Sequence, residues 1–423
     1  MTIGTPSTSP IETGPIETGP IETGPIETGT PPIPLPPIPL MALFLKFLRF
    51  GALAFGGPVA QIAMLRQALV DEEGWIEKAR FNRLLAVLQV LPGPEAHELC
   101  VHMGMIARGR IGGLLAGLGF MLPGFLLMLA AGWVYVTWVA GDAELSGVLL
   151  GVQIVVLAII FRAVVRIGEH IVENWLLGLI AVASLVVTLA GVPFWLPLAM
   201  GGLAYAVSHR PVATTLTVVG TIGLAIVLHA HGHAPPPLLT KDTAHVPVTV
   251  FALFLAGLKG GLLTFGGAYT AIPYVRADTV GRGWIGDAAF LDGIAIAGVL
   301  PAPLVIFATF VGYVTNGTAG ALAITAGMFL PAFAFSLVLF EKLEALVENP
   351  AFHRILEGVA AAVVGIIAAT FLQLGHATST RISGHMVAIA LFAAALSFVW
   401  RVKGPWVTPA IIAAGGAMGW ALF

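Results

Sequence analysis

Residues 91–102 have the sequence LPGPEAHELCVH, which combines helix-breaking residues with four titratable side chains between apolar stretches. The four titratable residues are Glu95, His97, Glu98 and His102. Ionisable groups inside a membrane segment are costly and are functional candidates by default. A carboxyl or an imidazole in a partly dry site can exchange protons, which suits proton coupling or gating. For Glu95, which directly follows the break, capping of the next helix is the alternative.

The His-Glu pair at 97–98 also suggests the chemistry of a zinc hydrolase with an H-E-x-x-H motif. His97 and His102 are five residues apart, which places them about 140° from each other around a helix of 3.6 residues per turn. They therefore do not face one metal ion, and we expect neither a metal nor an enzymatic activity. An intramembrane hydrolase using Glu95, His97 and His102 is kept as the alternative from another functional class.

The composition shows which kind of element must position these groups. The chain is 58% hydrophobic and only 10% charged, whereas soluble domains are about 25% charged. Residues 111–141 and 174–208 contain no Asp, Glu, Lys or Arg, and apolar runs longer than about 18 residues are typical of transmembrane helices. The sequence predicts an all-α polytopic membrane protein. The net charge of −2 offers no basic field for nucleic acid.

The sequence is internally duplicated. AFGGPVAQIAMLR at 54–66 matches TFGGAYTAIPYVR at 264–276, LPGP at 91 matches LPAP at 300, and GFMLPGF at 119 matches GMFLPAF at 327. The matched blocks keep one order, so we predict two homologous repeats at 41–228 and 248–423. A polar linker at 229–247 joins them, and the IETGP pentads and prolines of residues 1–40 predict a disordered tail.

The distribution of basic residues predicts inverted repeats with broken or re-entrant helices. If the apolar segment 82–106 folds back at its prolines, the basic groups before and after it share the cytoplasmic side. These groups are Arg66, Lys78, Arg80, Arg83, Arg108 and Arg110. The matching loop of the second repeat holds Arg276 and Arg282 with Asp278, Asp287 and Asp292. This weaker positive bias suits the opposite side, and inverted repeats are common in secondary transporters.

Broken helices predict an anion site, because a half-helix beginning inside the membrane presents its N–H groups and its dipole to a ligand. Glycine pairs let an ion approach the backbone, and two matched arginines add charge. The candidate substrate-binding residues are Phe55, Gly56, Gly57, Pro58, Arg66, Pro92, Gly93, Pro94, Gly266, Gly267, Arg276, Pro301 and Pro303. The alternatives are close helix packing for the glycines and snorkelling for the arginines.

This combination of motifs resembles the chromate ion transporter family in its long, two-domain form. The resemblance rests on FGGP with a downstream arginine, GW after an acidic loop, LPGPEA, and LPG on the next segment, all duplicated over residues 41–423. The first-repeat motif positions are Phe55, Gly56, Gly57, Pro58, Arg66, Gly74, Trp75, Pro92, Gly93, Pro94 and Glu95. The second repeat keeps Phe265, Gly266, Gly267, Pro301 and Pro303, but has Ala268 for the motif proline and Ala302 for the motif glycine.

The resemblance implies export of chromate from the cytoplasm across the bacterial inner membrane, and hence chromate resistance. It implies sulfate as a structural analogue and the proton motive force as the energy source. Moving one elementary charge is worth about 2.3 kcal/mol per 100 mV, so a dianion leaves a negative cell interior downhill and uniport stays open. We expect no cofactor and no partner other than the substrate and the lipid bilayer, with a homodimer as an open alternative to a monomer. A sulfate or other oxyanion carrier is the alternative function.

Overall fold

The computed structural model describes residues 38–423 except 56, 91–92, 141, 143–144, 193–194, 209–246, 265–267, 340–349, 383, 403 and 405. Helices make up nearly all of the described part, which contains no β-strand. The all-α prediction is confirmed. Nearly all of the expected tail at 1–40 and of the expected linker at 229–247 lies outside the described residues.

Within the described ranges, seven helices of the first repeat are followed by seven of the second, in matching order. The first seven are α1 Leu40–Ala52, α2 Gly57–Arg66, α3 Lys78–Val90, α4 Glu95–Val134, α5 Ser146–Ile171, α6 Trp175–Leu189 and α7 Trp195–Ala206. The second seven are α8 Val250–Leu262, α9 Ala271–Thr279, α10 Asp287–Val299, α11 Phe307–Ala334, α12 Pro350–Ser379, α13 His385–Arg401 and α14 Val407–Leu422. Turns of π-helix extend three of these helices, at Gln67–Glu72, Tyr135–Val139 and Phe335–Leu339, and 3₁₀ turns at Ala268–Thr270 and Leu304–Ile306 precede α9 and α11.

Helices α4 and α11 are each folded into a hairpin at the same place in the repeat. The break in α4 is at Arg108 (φ −145°, ψ 30°) and Gly109 (φ 62°, ψ −158°). The break in α11 is at Asn316 (φ −151°, ψ 35°) and Gly317 (φ 58°, ψ −151°). A positive φ of this size favours glycine, so both repeats build one turn with the same residue type.

The two arms of each hairpin run antiparallel and touch. A side chain at Gly104 would overlap the carbonyl of Gly112, and the hydroxyls of Thr309 and Thr325 lie 2.7 Å apart across the second hairpin. We call residues 95–107 and 307–315 the short arms, and residues 110–134 and 318–334 the long arms. With its π-turn, each long arm exceeds the about 20 residues that a membrane crossing needs.

The chain also folds back at the predicted LPGP and LPAP breaks. In the first repeat, Phe81 and Leu88 of α3 share an apolar cluster with Ala96 and Met103 of the short arm. In the second repeat, the rings of Phe290 and Phe307 lie 5.6 Å apart across the break. A helix of the length of α3 spans about 20 Å, less than the about 30 Å of a bilayer core. These pairs therefore have the re-entrant form that the prolines predict.

A second fold-back occurs at each FGG motif. Lys46 of α1 forms an ion pair with Glu73, beyond the end of α2, and the rings of Phe47 and Trp75 lie 6.3 Å apart. In the second repeat, Lys259 of α8 pairs with Asp278 of α9 at 2.7 Å. Each repeat therefore begins with two helix hairpins, and we name their tips after the FGG and LPxP motifs that the sequence has between the paired helices.

The repeats are inverted relative to each other. A side chain at Gly113 would meet Leu337, and one at Gly117 would meet Phe333, so the two long arms run antiparallel. Matched helices that run antiparallel are related by an axis perpendicular to them, as inverted-topology repeats require. Glycine permits this close approach of the two arms.

The charged residues expected in loops are on helices instead. Lys78 opens α3, and Asp287 opens α10. Asp292 lies inside α10 and is buried, with 2% of its surface exposed. The assignment of Asp292 to a loop is therefore wrong, because this residue lies in the second turn of α10, on a face that packs into the protein interior.

Candidate functional site

The broken segments of one repeat meet those of the other at the repeat interface. The N–H of Gly93 in the LPGP break donates to the carbonyl of Thr264, which precedes the second FGG motif, at 2.8 Å. The Gln61 amide of α2 donates to Ala54, before the first FGG motif, at 2.8 Å and to Ala302 of the LPAP break at 3.0 Å. The pairing is crossed, so each LPxP break contacts the FGG region of the opposite repeat.

The two contact pairs are connected. The 3₁₀ turn Ala268–Thr270, after the second FGG motif, packs against the turn Leu304–Ile306, after the LPAP break. Tyr269 and Leu304 from these turns line a small apolar cavity together with Ile159 and Ile160 of α5. The described parts of all four broken regions therefore form one continuous contact surface between the repeats.

Several of the predicted glycines and prolines form the tips of the hairpins. Gly57 opens α2 with φ 80° and Gly93 has φ 150°, which are conformations that favour glycine. Pro94 is the N-cap residue of α4, and Pro303 precedes the turn Leu304–Ile306. Pro58 lies in the first turn of α2, and Pro301 lies in the bend before Ala302. Gly56, Pro92, Phe265, Gly266 and Gly267 lie outside the described residues.

The short arm that follows the LPGP break has no side-chain cap. Pro94 occupies the N-cap position and makes no side-chain hydrogen bond, so the first N–H groups of α4 lack a capping side chain. Glu95 is the first helical residue rather than the cap. The capping alternative for Glu95 is therefore wrong as a hydrogen-bonding role, although a negative charge at this helix end is still favoured by the dipole.

Glu98 is fully buried at the tip of the first re-entrant pair. Its carboxylate lies against the backbone of Gly93, where any side chain on residue 93 would overlap it. Neither carboxylate oxygen has a hydrogen-bond partner among the described residues. Glu95 lies one turn away on the same face of the arm. Two buried carboxyl groups therefore lie next to the LPGP break, where Gly93 contacts the second repeat.

The two histidines of the short arm lie deeper along it. His97 is fully buried, with its ring 4.9 Å from that of Phe329 and 4.7 Å from that of Phe333 on the opposite long arm. His102 is also buried and lies near Arg80 of α3. His97 therefore contacts the repeat interface, whereas His102 faces its own re-entrant partner.

The matched arginines are in different environments. Arg276 is 5% exposed and donates from Nε to Asp287 at 2.8 Å and from Nη1 to Gln373 at 2.9 Å. Arg66 is partly exposed, and the described part of the chain gives it no hydrogen bond or ion pair. Arg276 is thus neutralised, and Arg66 keeps its charge available.

The structure adds a buried polar network that the sequence pattern does not indicate. The Tyr135 hydroxyl donates to Asp292 at 2.9 Å, and the Gln153 amide donates to the other Asp292 oxygen at 2.8 Å. Arg381 donates to the Gln153 carbonyl at 3.0 Å. The network ties α10 of the second repeat to α5 and the end of α4 in the first. The feature of the sequence that could have pointed to this network is Gln153, a lone glutamine in an apolar helix.

Phe55 has an apolar role at the first FGG motif. Its ring stacks on Trp406 with the ring centres 5.5 Å apart. The two side chains line an open cavity of about 240 Å³ together with Leu53, Ala60 and Met64. The described surroundings of the Phe55 ring are apolar, and its place in an anion site stays a prediction.

The duplicated, crossed hairpins are accompanied by a match over both repeats. The sequence model of the family described as Chromate transporter matches residues 41–206 and 251–420. The chain belongs to the chromate transporter family. Among its relatives is a chromate transport protein of Pseudomonas aeruginosa, 53% identical over 90% of this chain and 92% of the relative. Another is a chromate transport protein of Cupriavidus metallidurans, 31% identical over 83% of this chain and 86% of the relative. No solved structure matches this chain.

In this member of the chromate transporter family, both departures from the duplicated motif lie in contact-forming turns. Ala302, which replaces the motif glycine, accepts the Gln61 hydrogen bond through its backbone carbonyl. Ala268, which replaces the motif proline, begins the 3₁₀ turn before α9. Both substitutions keep backbone contacts in place, so the second repeat still takes part in the interface.

Proposed function

We propose that this protein exports chromate from the cytoplasm across the bacterial inner membrane, and that it thereby confers chromate resistance. The observation that carries the proposal is the crossed contact of the FGG and LPxP tips, at Gly93 with Thr264 and at Gln61 with Ala302. Membership of the chromate transporter family supports the choice of ion. The printed names of the relatives point to the same substrate.

The chemistry of the tips suits a tetrahedral dianion. Chromate offers acceptor oxygens in every direction, and an uncapped half-helix end such as that at Pro94 presents N–H donors and a positive dipole. Arg66 adds a charge that no described carboxylate neutralises. Such a site needs no metal ion and no cofactor.

The charge distribution supports a cytoplasmic opening of the first repeat. The hairpin turn of α4 reads Arg108-Gly109-Arg110, and the matching turn of α11 reads Asn316-Gly317-Thr318. Positive residues near membrane segments favour the cytoplasm, so we place the open ends of the first-repeat hairpins there. The inverted second repeat then opens to the other side.

Proton coupling is assigned to the short arm of the first repeat. Glu95, His97, Glu98 and His102 are all buried beside the break, and the second repeat has the apolar stretch LVIFATFV from residue 304 in the matching place. Only one of the two repeats therefore carries titratable groups at its tip. We propose that Glu95 and Glu98 exchange the driving proton, with the histidines as gating groups.

Chromate accumulation by cells tests this function. Expression in a chromate-sensitive bacterium should lower the chromate content of the cells and raise the concentration that they tolerate. Unchanged accumulation would contradict the proposal. The alternative of a sulfate or other oxyanion carrier predicts that excess sulfate abolishes the effect and that sulfate content falls instead. The alternative of an intramembrane hydrolase predicts no change in either ion.

A further inference from the structure

The environment of Arg276 in the second repeat is reversed in charge at the matching positions of the first. Arg276 matches Arg66 within the FGG blocks, and Asp287 matches Lys78 at the start of the following helix. Gln373-Leu374-Gly375 on α12 matches Arg166-Ile167-Gly168 on α5. The second repeat thus has an arginine, a carboxylate and an amide, and the first has three cations.

In the second repeat, the arginine bonds to both the carboxylate and the amide. Arg276 bonds to Asp287 with Nη2 at 2.7 Å and to Gln373 with Nη1 at 2.9 Å, and it is buried. These bonds join α9, the start of α10 and α12, and both α9 and α10 pack on α12. A buried guanidinium with a carboxylate and an amide as acceptors is well satisfied.

In the first repeat, the three matching cations are at least partly exposed to solvent. Arg66 is partly exposed and Arg166 is exposed, and the side chain of Lys78 is 68% exposed while it pairs with Asp71 at 2.9 Å. No comparable packing joins α2 or α3 to α5 in the described ranges. Three cations at the matching positions offer one another no attraction, so these helices lack the ion pair that joins the corresponding helices of the other repeat.

We propose that the transported oxyanion binds between Arg66, Lys78 and Arg166, and that it takes the bridging place that Asp287 and Gln373 occupy in the second repeat. The dianion supplies the negative charge that the first repeat lacks at the position matching Asp287, so binding draws α2 and α3 toward α5. In this proposal, the bound oxyanion holds α2, α3 and α5 of the first repeat together. This inference rests on the proposed function, because it takes its ligand from there.

The geometry of the ligand suits the three cations. A guanidinium binds two oxygens of a tetrahedral oxyanion side by side, and an ammonium binds as a point charge. Arg66 and Arg166 would hold two edges of the ion, and Lys78 would exchange its contact with Asp71 for one with the cargo. Arg162, one turn before Arg166 on α5, adds positive charge to the approach.

Equilibrium binding of potassium chromate to the purified full-length protein tests the site. The double variant K78D/R166Q copies the second-repeat group into the first and offers Arg66 an internal carboxylate. We expect it to bind chromate at least tenfold more weakly than the wild type, while Arg166→Lys, which keeps the charge, stays within a fewfold. Arg401→Gln, at the exposed end of α13, is the matched control and should bind as the wild type does.

The outcomes separate the two proposals. Wild-type affinity in K78D/R166Q, or an equal loss of affinity in Arg166→Lys and in K78D/R166Q, would overturn the binding site and leave chromate export standing. A wild type that binds sulfate but not chromate would overturn the proposed cargo while the variants still test the site with sulfate. A wild type that binds neither ion would overturn both. Circular dichroism and size-exclusion profiles of each variant control for folding.

Discussion

The backbone N–H of Gly93 donates a hydrogen bond to the carbonyl oxygen of Thr264 at 2.8 Å, across the interface between the two repeats. Gly93 lies at the tip of one re-entrant pair, and Thr264 lies at the tip of another. The bond shows that a backbone donor in the break of one repeat has its acceptor in the other repeat. Movement of one repeat against the other would therefore change the surroundings of the tips directly.

Gly93 should tolerate no side chain. Its φ of 150° is strained for other residues, which costs about 1–3 kcal/mol, and a Cβ would overlap the Glu98 carboxylate. We expect Gly93→Ala to lower the thermal midpoint of unfolding in detergent and to abolish chromate transport. The control is Gly375→Ala, where a Cβ meets open space. A Gly93→Ala protein that transports normally would show that this tip is not part of the site.

Inversion of the repeats predicts that matched positions lie on opposite sides of the membrane. Glu77 and Gly286 are exposed and immediately precede α3 and α10. Cysteine at position 77 should react with an impermeant maleimide only in inside-out vesicles, and cysteine at position 286 only in intact spheroplasts. Cys100 is buried, so the parent protein should give little background. Labelling of both positions from one side would contradict the inversion.

Glu95 should carry the pH dependence of transport. Glutamine keeps the shape and polarity of the side chain but does not titrate, so Glu95→Gln should transport at a rate nearly independent of pH. Glu98→Gln should weaken the dependence as well, because the two carboxyl groups lie one turn apart. Glu77→Gln, exposed and distant along the chain, should keep the parent profile. A normal pH profile in Glu95→Gln would leave Glu95 with only its charge at the helix end.

The bond between Tyr135 and Asp292 should stabilise the association of the repeats. Hydrogen bonds to charged groups contribute about 1.5–3 kcal/mol, and Tyr135→Phe removes one from a buried carboxylate. We expect the free energy of unfolding in detergent to fall by about this amount. Tyr313→Phe is the control, because its hydroxyl makes no hydrogen bond to the described residues, and a change below about 0.5 kcal/mol is expected there. Equal effects of the two variants would contradict a stabilising network.

Much of the fold follows from residue patterns that act locally. Prolines and glycines at 57–58, 93–94 and 300–303 interrupt helices because they remove donors or permit positive φ, and these effects do not depend on distant parts of the chain. Because the motifs are duplicated, the same break is predicted independently in each repeat. The hairpin turn at Arg108 and Gly109 also falls between the two apolar segments that the sequence indicates on either side of it.

The partners of the site residues could not be predicted in the same way. The pairing of Gly93 with Thr264 and of Gln61 with Ala302 joins residues far apart in the chain. It depends on how the inverted repeats pack, and no local pattern carries that information. The same holds for Arg276, whose role as a cation changes once Asp287 and Gln373 surround it. Asp292 is misassigned to a loop for a related reason, because its acceptors are satisfied by donors from the other repeat.

Chromate uptake into inside-out membrane vesicles tests directly whether the protein exports chromate. With the cytoplasmic side facing outward, an exporter moves chromate into the vesicle. We expect saturable uptake above that of vesicles without the protein, with reduced uptake when a protonophore dissipates the proton gradient. Uptake no greater than in empty vesicles, with sulfate entering instead, would contradict chromate export and favour the general oxyanion carrier.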